Sequence, residues 1–177
     1  MSVIVSPAMA YGLLVLRVVV GLIMFAHGAQ KLFGWFGGGG LRGTAAFFGQ
    51  LRFRPAHRPA MAFLAGLSEA AGLLFALGVV TPFAALGLAS VMVVAIGTVH
   101  WPNGLWAGNR GYEYNLTIWT VAVAVAAIGP GRFSIDHALH WDDNLSGVWW
   151  GVGVLVVSLL GGFAVMALRE RKPAEAA

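Results

Sequence analysis

The sequence predicts an all-α integral membrane helix bundle, and three observations predict it. The 177 residues are 59% hydrophobic and only 10% charged, with mean hydropathy +0.80, whereas a soluble domain carries roughly 25% charged residues. Five apolar stretches recur, of the length needed to cross a bilayer, about 17–25 residues. The basic residues concentrate in the connections on one side of those stretches.

The spans are expected at residues 9–33, 60–80, 83–101, 113–129 and 148–168. Pro59 and Pro82 stand at helix starts, where a missing N–H costs nothing. Gly129-Pro130-Gly131 stops the fourth span, which is the shortest and reaches spanning length only by including Glu113 and Asn115. The four glycines from Gly37 to Gly40 predict a flexible turn. They are not a phosphate loop, since no Lys-Ser or Lys-Thr follows. Residues 44–53, with Phe47, Phe48, Leu51 and Phe53 beside Gln50 and Arg52, suit a short segment lying in the interface. No internal repeat is visible, so nothing points to an inverted-repeat transporter.

Loop charge predicts the orientation. Arg42, Arg52, Arg54 and Arg58 lie between spans one and two, Arg110 between three and four, and Arg169, Arg171 and Lys172 after span five. The other side has Arg132 beside Asp136, Asp142 and Asp143, expected to form a solvated rim. Lys and Arg mark the cytoplasmic side, which puts the N-terminus outside and the C-terminus inside. Tryptophan gives an independent sign: Trp35, Trp101 and Trp106 form one interfacial belt, and Trp141, Trp149 and Trp150 the other. The net charge of +4 is loop charge and not a nucleic-acid footprint. There is no cysteine, which excludes disulfides, thiolate catalysis and Cys-ligated metal within the chain.

The informative residues are ionisable groups inside apolar stretches, each costing about 2.5–3.5 kcal/mol to insert and therefore candidates for function. Arg17, Gly21, Met24, Gly28 and Lys31 form one helical stripe with His27 on its flank. Ala62, Gly66, Glu69, Ala70 and Leu73 form the facing stripe, and Glu113, Thr117, Thr120 and Ala124 a third. Arg17 lies roughly 10 Å and Glu69 roughly 16 Å from the outer end at the helical rise, so an Arg17–Glu69 ion pair is expected. A structural pair that only fixes helix packing competes with a pocket for a quinone, an acid or a proton path. Lys31 could equally snorkel to headgroups. His27 and His100 share a depth on different helices, but no further motif supports haem or metal ligation. His57, His137 and His140 have no ligand spacing, and no hydrolase triad or paired-carboxylate motif is present.

The first span, Arg17-(x3)-Gly21-(x3)-Phe25-Ala26-His27-Gly28-(x2)-Lys31-Leu32-Phe33-Gly34, resembles the opening of the DoxX family of bacterial membrane proteins. Glu69-Ala70-Ala71-Gly72-Leu73-Leu74, with Leu77-Gly78 and Thr81-Pro82, resembles its second helix. Asn109-Arg110-Gly111-Tyr112-Glu113-Tyr114-Asn115 resembles the lead-in to its fourth, and Gly129–Asp136 its closing segment. The resemblance implies a four-helix membrane domain over residues 9–146, after an external tail at 1–8. The additional span at 147–168 and a basic cytoplasmic tail at 169–177 depart from the usual four-helix family.

The resemblance also implies a multi-pass protein of the bacterial inner membrane associated with redox or oxidative and thiol stress. One branch resembles the membrane subunit of a thiosulfate:quinone oxidoreductase. Another is linked in mycobacteria with superoxide dismutase and a sulfurtransferase. The residues carried over are Arg17, His27, Lys31, Glu69, Glu113 and Tyr114. As an enzyme, the chain would be the quinone-reducing subunit, with Arg17 and Lys31 on an anion and Glu69, Glu113 or His27 as candidate catalytic proton carriers. As a scaffold, it would hold a soluble redox or sulfur-transfer protein at the cytoplasmic face. A small transporter or proton conduit is the third expectation.

Overall fold

The computed structural model describes residues 7–170, so the expectations for Arg171, Lys172 and most of both tails lie outside the described residues. Among the described residues the fold is all-α, with no strand beyond one isolated bridge. Helix α1 is Pro7–Phe33, α2 Gly40–Gln50, α3 Arg58–Ala70, α4 Gly72–Leu77 and α5 Thr81–Ala95. Then follow α6 Glu113–Ile128, the short α7 Ile135–Ala138, and α8 Val148–Met166.

Four helical stretches are long and apolar enough to cross a membrane: Pro7–Phe33, Pro55–Leu77, Thr81–Asn103 and Val148–Met166. The fifth, α6, has 16 residues, about 24 Å of rise against a hydrocarbon core of roughly 30 Å. The expected fourth span is therefore the short one, because its first turn carries Glu113 and Asn115. All five helices traverse the bundle. Tyr11 near the start of α1 packs against Phe133 beyond α6, ring centroids 4.9 Å apart. At the opposite end the stretch after α8 pairs with the α2–α3 connection, through the Phe53–Arg169 bridge and a 2.9 Å bond from Glu170 N to Arg52 O. The described chain thus begins at one end and finishes at the other.

The outer surface is apolar, as lipid contact requires: only 22% of the most apolar window of α1 is buried. The interior is closed by Met24, Phe75, Leu88, Met92, Ile118 and Val125, contributed by α1, α4, α5 and α6. Small residues set the closest helix contact. A Cβ at Gly21 would strike the Gly72 carbonyl, and a Cβ at Gly72 would strike the Gly21 carbonyl. The stripe expected of α1 is thus a backbone-to-backbone approach with α4.

In the second span α3 and α4 meet at Ala71, two residues after Glu69, and Ala71 itself keeps helical φ and ψ. The third continues beyond α5 through a π-helical turn, Ile96–His100, to Asn103. The run Gly37–Gly40 is the stretch expected to form a flexible turn. It contains the end of a 3₁₀ turn and the start of α2, and Gly38 packs closely on Gln30. Residues 40–50 form α2, which overlaps most of the segment 44–53 read from the aromatic pattern. Trp35, Trp101, Trp106 and Trp149 are exposed at the two ends as the belts require.

Candidate functional site

The arginine-rich end gathers four of the six expected site residues. Lys31 is in the last turn of α1 and Glu69 in the last turn of α3, and the close approach of these helices brings them together. Lys31 Nζ donates to Glu69 Oε1 at 2.5 Å. The Glu69 side chain is 5% exposed and that of Lys31 31%. The ammonium thus reaches the edge of the bundle while the carboxylate stays inside. Glu69 Oε2 is buried with no hydrogen-bond partner among the described residues. Tyr114, in the first turn of α6, is within electrostatic reach of Glu69 and is partly exposed. His27, one turn before Lys31, stands 6.5 Å from Tyr114 between ring centroids. Its Nδ1 lies 2.9 Å from the Ile23 carbonyl. A carbonyl only accepts, so Nδ1 carries a proton and Nε2 is the basic nitrogen of the neutral ring.

Arg17 does not pair with Glu69, which corrects the pairing expected from depth. The guanidinium is fully buried at the other end, where Nη2 donates to the Phe133 carbonyl at 2.6 Å. It packs against Gly78, which has positive φ and leaves no space for a Cβ. Asp136 supplies the local negative charge. Asp136 itself corrects the expectation of a solvated rim, because it is fully buried. Its Oδ1 accepts from Val80 N at 2.7 Å, and its Oδ2 from Thr81 N at 2.9 Å and Thr81 Oγ1 at 2.7 Å. It caps the positive end of α5 from 55 residues away. Asp142 keeps its expected place in the rim, paired with His137 at 2.6 Å.

Glu113 is also placed differently from expectation. Its Oε2 accepts from Ala107 N at 2.9 Å, closing the loop before α6, while its neighbour Tyr114 turns to the cluster. His100 Nδ1 bonds the Arg110 carbonyl at 2.7 Å, so His27 and His100 serve separate carbonyls. Sequence reasoning missed Asp136 as a cap. Thr81-Pro82 announced a helix start, but nothing local announced that its acceptor would arrive from the far loop. It also missed a largely apolar groove of ≈ 140 Å³ between α2, α3, α5 and α8, to which Lys31, Ser68, Ser90 and Thr98 contribute.

A family model, DoxX, matches residues 12–101, just over half of the chain. The chain belongs to the DoxX family. It is a multi-pass membrane protein by that membership and by its four spanning helices. Arg17, His27, Lys31 and Glu69 lie inside the matched region, and Glu113, Tyr114 and Asp136 beyond it. Comparison with curated proteins and with solved structures finds no match.

Proposed function

We propose that this DoxX protein is the membrane subunit of a redox or oxidative and thiol-stress system, and that Lys31, Glu69, Tyr114 and His27 form its quinone site. One observation carries the reading. A part-buried ion pair with an orphaned carboxylate oxygen sits at the end of the bundle where the exposed rings of His27 and Tyr114 stand together. A buried polar atom without a partner is costly, and such atoms persist where a ligand or a proton completes them. The residues therefore fit a quinone head, whose chemistry is to accept two electrons and two protons.

The chain's own contribution is binding and proton delivery. The Lys31 ammonium would hold a carbonyl oxygen and stabilise negative charge developing there. Glu69, bonded to Lys31 through one oxygen, would take and pass a proton through the other. His27, with Nε2 free among the described residues, would relay protons at the exposed edge. The Tyr114 ring would flank the head. Arg17 and Glu113 have no part in this reading, since both are engaged elsewhere. Electrons must come from outside the chain. With no cysteine it carries no persulfide, so a soluble redox or sulfur-transfer partner is required.

Location follows from charge. The arginine-rich end would face the cytoplasm of a bacterial inner membrane, so a reporter after Ala177 should read cytoplasmic and one at Met1 external. Both on one side would overturn that orientation. For the site, the purified protein should retain quinone, and Glu69→Gln or His27→Ala in natively inserted protein should release it. Retention in both variants would sink the quinone reading. Recovery of a soluble partner by those variants, with function intact, would leave the scaffold ahead. Proton flux in liposomes containing the protein alone would favour the conduit.

A further inference from the structure

We infer that the groove between α2, α3, α5 and α8 binds an anionic phospholipid, with an acyl chain between the helices and the phosphate on Arg58 and Arg169. The groove adjoins the proposed quinone site, since Lys31 also lines it, but the inference rests on the two arginines and not on the redox reading. The groove is walled by Phe48, Leu51, Met61, Val94 and Val165, and its volume is ≈ 140 Å³. Most of its wall is apolar, and in a bilayer hydrocarbon is the substance available to fill such a groove. It lies at the arginine-rich end, with α2 along one side.

Two guanidiniums are held beside it, Arg169 by a wall residue and Arg58 by Phe53, two residues beyond the wall. Arg169 Nε donates to the carbonyl of Leu51, itself a wall residue, at 2.8 Å. Arg58 Nε donates to the Phe53 carbonyl at 2.8 Å, and Phe53 N bonds Phe48 O at 3.1 Å. Arg58 also lies over the last turn of α2, since a Cβ at Gly49 would sit 3.1 Å from its Nη1. Each side chain therefore spends Nε on the protein, and among the described residues its terminal nitrogens have no partner. Glu170, next to Arg169, forms an ion pair with neither arginine among the described residues.

The bridge between Phe53 and Arg169 holds the two sides of the rim together. A planar guanidinium with free donors matches a phosphate oxygen pair. An apolar slot below two tethered cations asks for a molecule with an anionic head and a hydrocarbon tail. A quinone lacks the anion, and an acidic peptide lacks the tail.

The test is lipid binding by native mass spectrometry of the full-length protein in detergent. The probes are phosphatidylglycerol and phosphatidylcholine with identical acyl chains, with glycerol phosphate as the tail-less anion. Phosphatidylglycerol should bind at least about tenfold more tightly than phosphatidylcholine, as expected for hydrogen bonds to a charged group. The double variant Arg58→Gln/Arg169→Gln should abolish that preference, while Arg110→Gln, at the same end but off the rim, should keep it. Ala95→Leu, which fills the groove, should weaken phosphatidylglycerol binding with the arginines intact, so the site can be tested even if the double variant fails to fold. Equal binding of the two lipids, a preference that survives the double variant, or full displacement by glycerol phosphate would overturn the assignment.

Discussion

The two ends of this bundle each bury a cation from α1 with a carboxylate, and they do so in opposite ways. At the acidic end, Arg17 and Asp136 are fully buried, and both Asp136 oxygens are spent on Val80 and Thr81. At the basic end, Lys31 is partly exposed, Glu69 keeps one oxygen unpartnered, and two rings stand open beside them. The first arrangement closes a loop onto a helix terminus and leaves its carboxylate no free acceptor. The second leaves an acceptor over, whereas what the first leaves over is donors, the Arg17 Nε and Nη1, buried without a partner among the described residues. A buried charge is thus not by itself a sign of function in a membrane protein. What separates the two is whether the protein has already used the carboxylate oxygens.

The strongest way to break this comparison is at Asp136. Asp136→Ala should destabilise the protein by about 3–5 kcal/mol, the cost of leaving a buried cation uncompensated, with two backbone donors and the Thr81 hydroxyl also orphaned. Detergent denaturation would measure it, and a change under 1 kcal/mol, within the range typical of an exposed polar group, would mean the cap is dispensable. Next is the helix contact that positions both ends. Gly21→Ala should cost about 1–3 kcal/mol by overpacking, because the atoms it meets are the Gly72 and Ala76 backbone and cannot swing aside. An unchanged melting midpoint would show that α1 and α4 separate freely.

Coupling sharpens the comparison further. A double-mutant cycle of Lys31→Met with Glu69→Gln should give an interaction energy of about 0.5–3 kcal/mol, the range for contacting groups. The cycle of Arg17→Met with Glu69→Gln should be additive within about 0.5 kcal/mol, since Arg17 and Lys31 are about 21 Å apart along α1 at the helical rise. Reversed outcomes would restore the pairing that depth alone suggested. The smallest expected effects on stability are at the open rings. His27→Ala and Tyr114→Phe should each shift it by no more than about 0.5 kcal/mol, as for exposed positions. Ligand retention should nevertheless fall in His27→Ala. A large loss of stability in either would mark the rings as packing elements.

The site was half legible. His27 and Lys31 are one turn apart, and the α1 stripe placed them on the edge that meets α3. Tyr114 and Glu113 are adjacent in sequence, and only the loop before α6 decided which would face the cluster, by offering the Ala107 N–H to Glu113. The groove was not legible at all. It is assembled from α2, α3, α5 and α8 with Lys31 of α1 at its edge, and apart from Lys31 its lining residues carry no signal that sets them apart in sequence.

The sequence by itself determined the all-α membrane class, the weakness of the α6 span and the charge asymmetry of the two ends. These follow from composition, from Pro and Gly punctuation and from helical periodicity, all of them local. The tertiary structure alone decided the partners. Periodicity gives a side chain its face and its height on one helix, but not which of the other helices stands opposite. Arg17 therefore found the Phe133 carbonyl, 116 residues away, while Glu69 met Lys31. Hydrogen bonds and ion pairs act over a few ångströms, and which groups come within that range is set by helix packing.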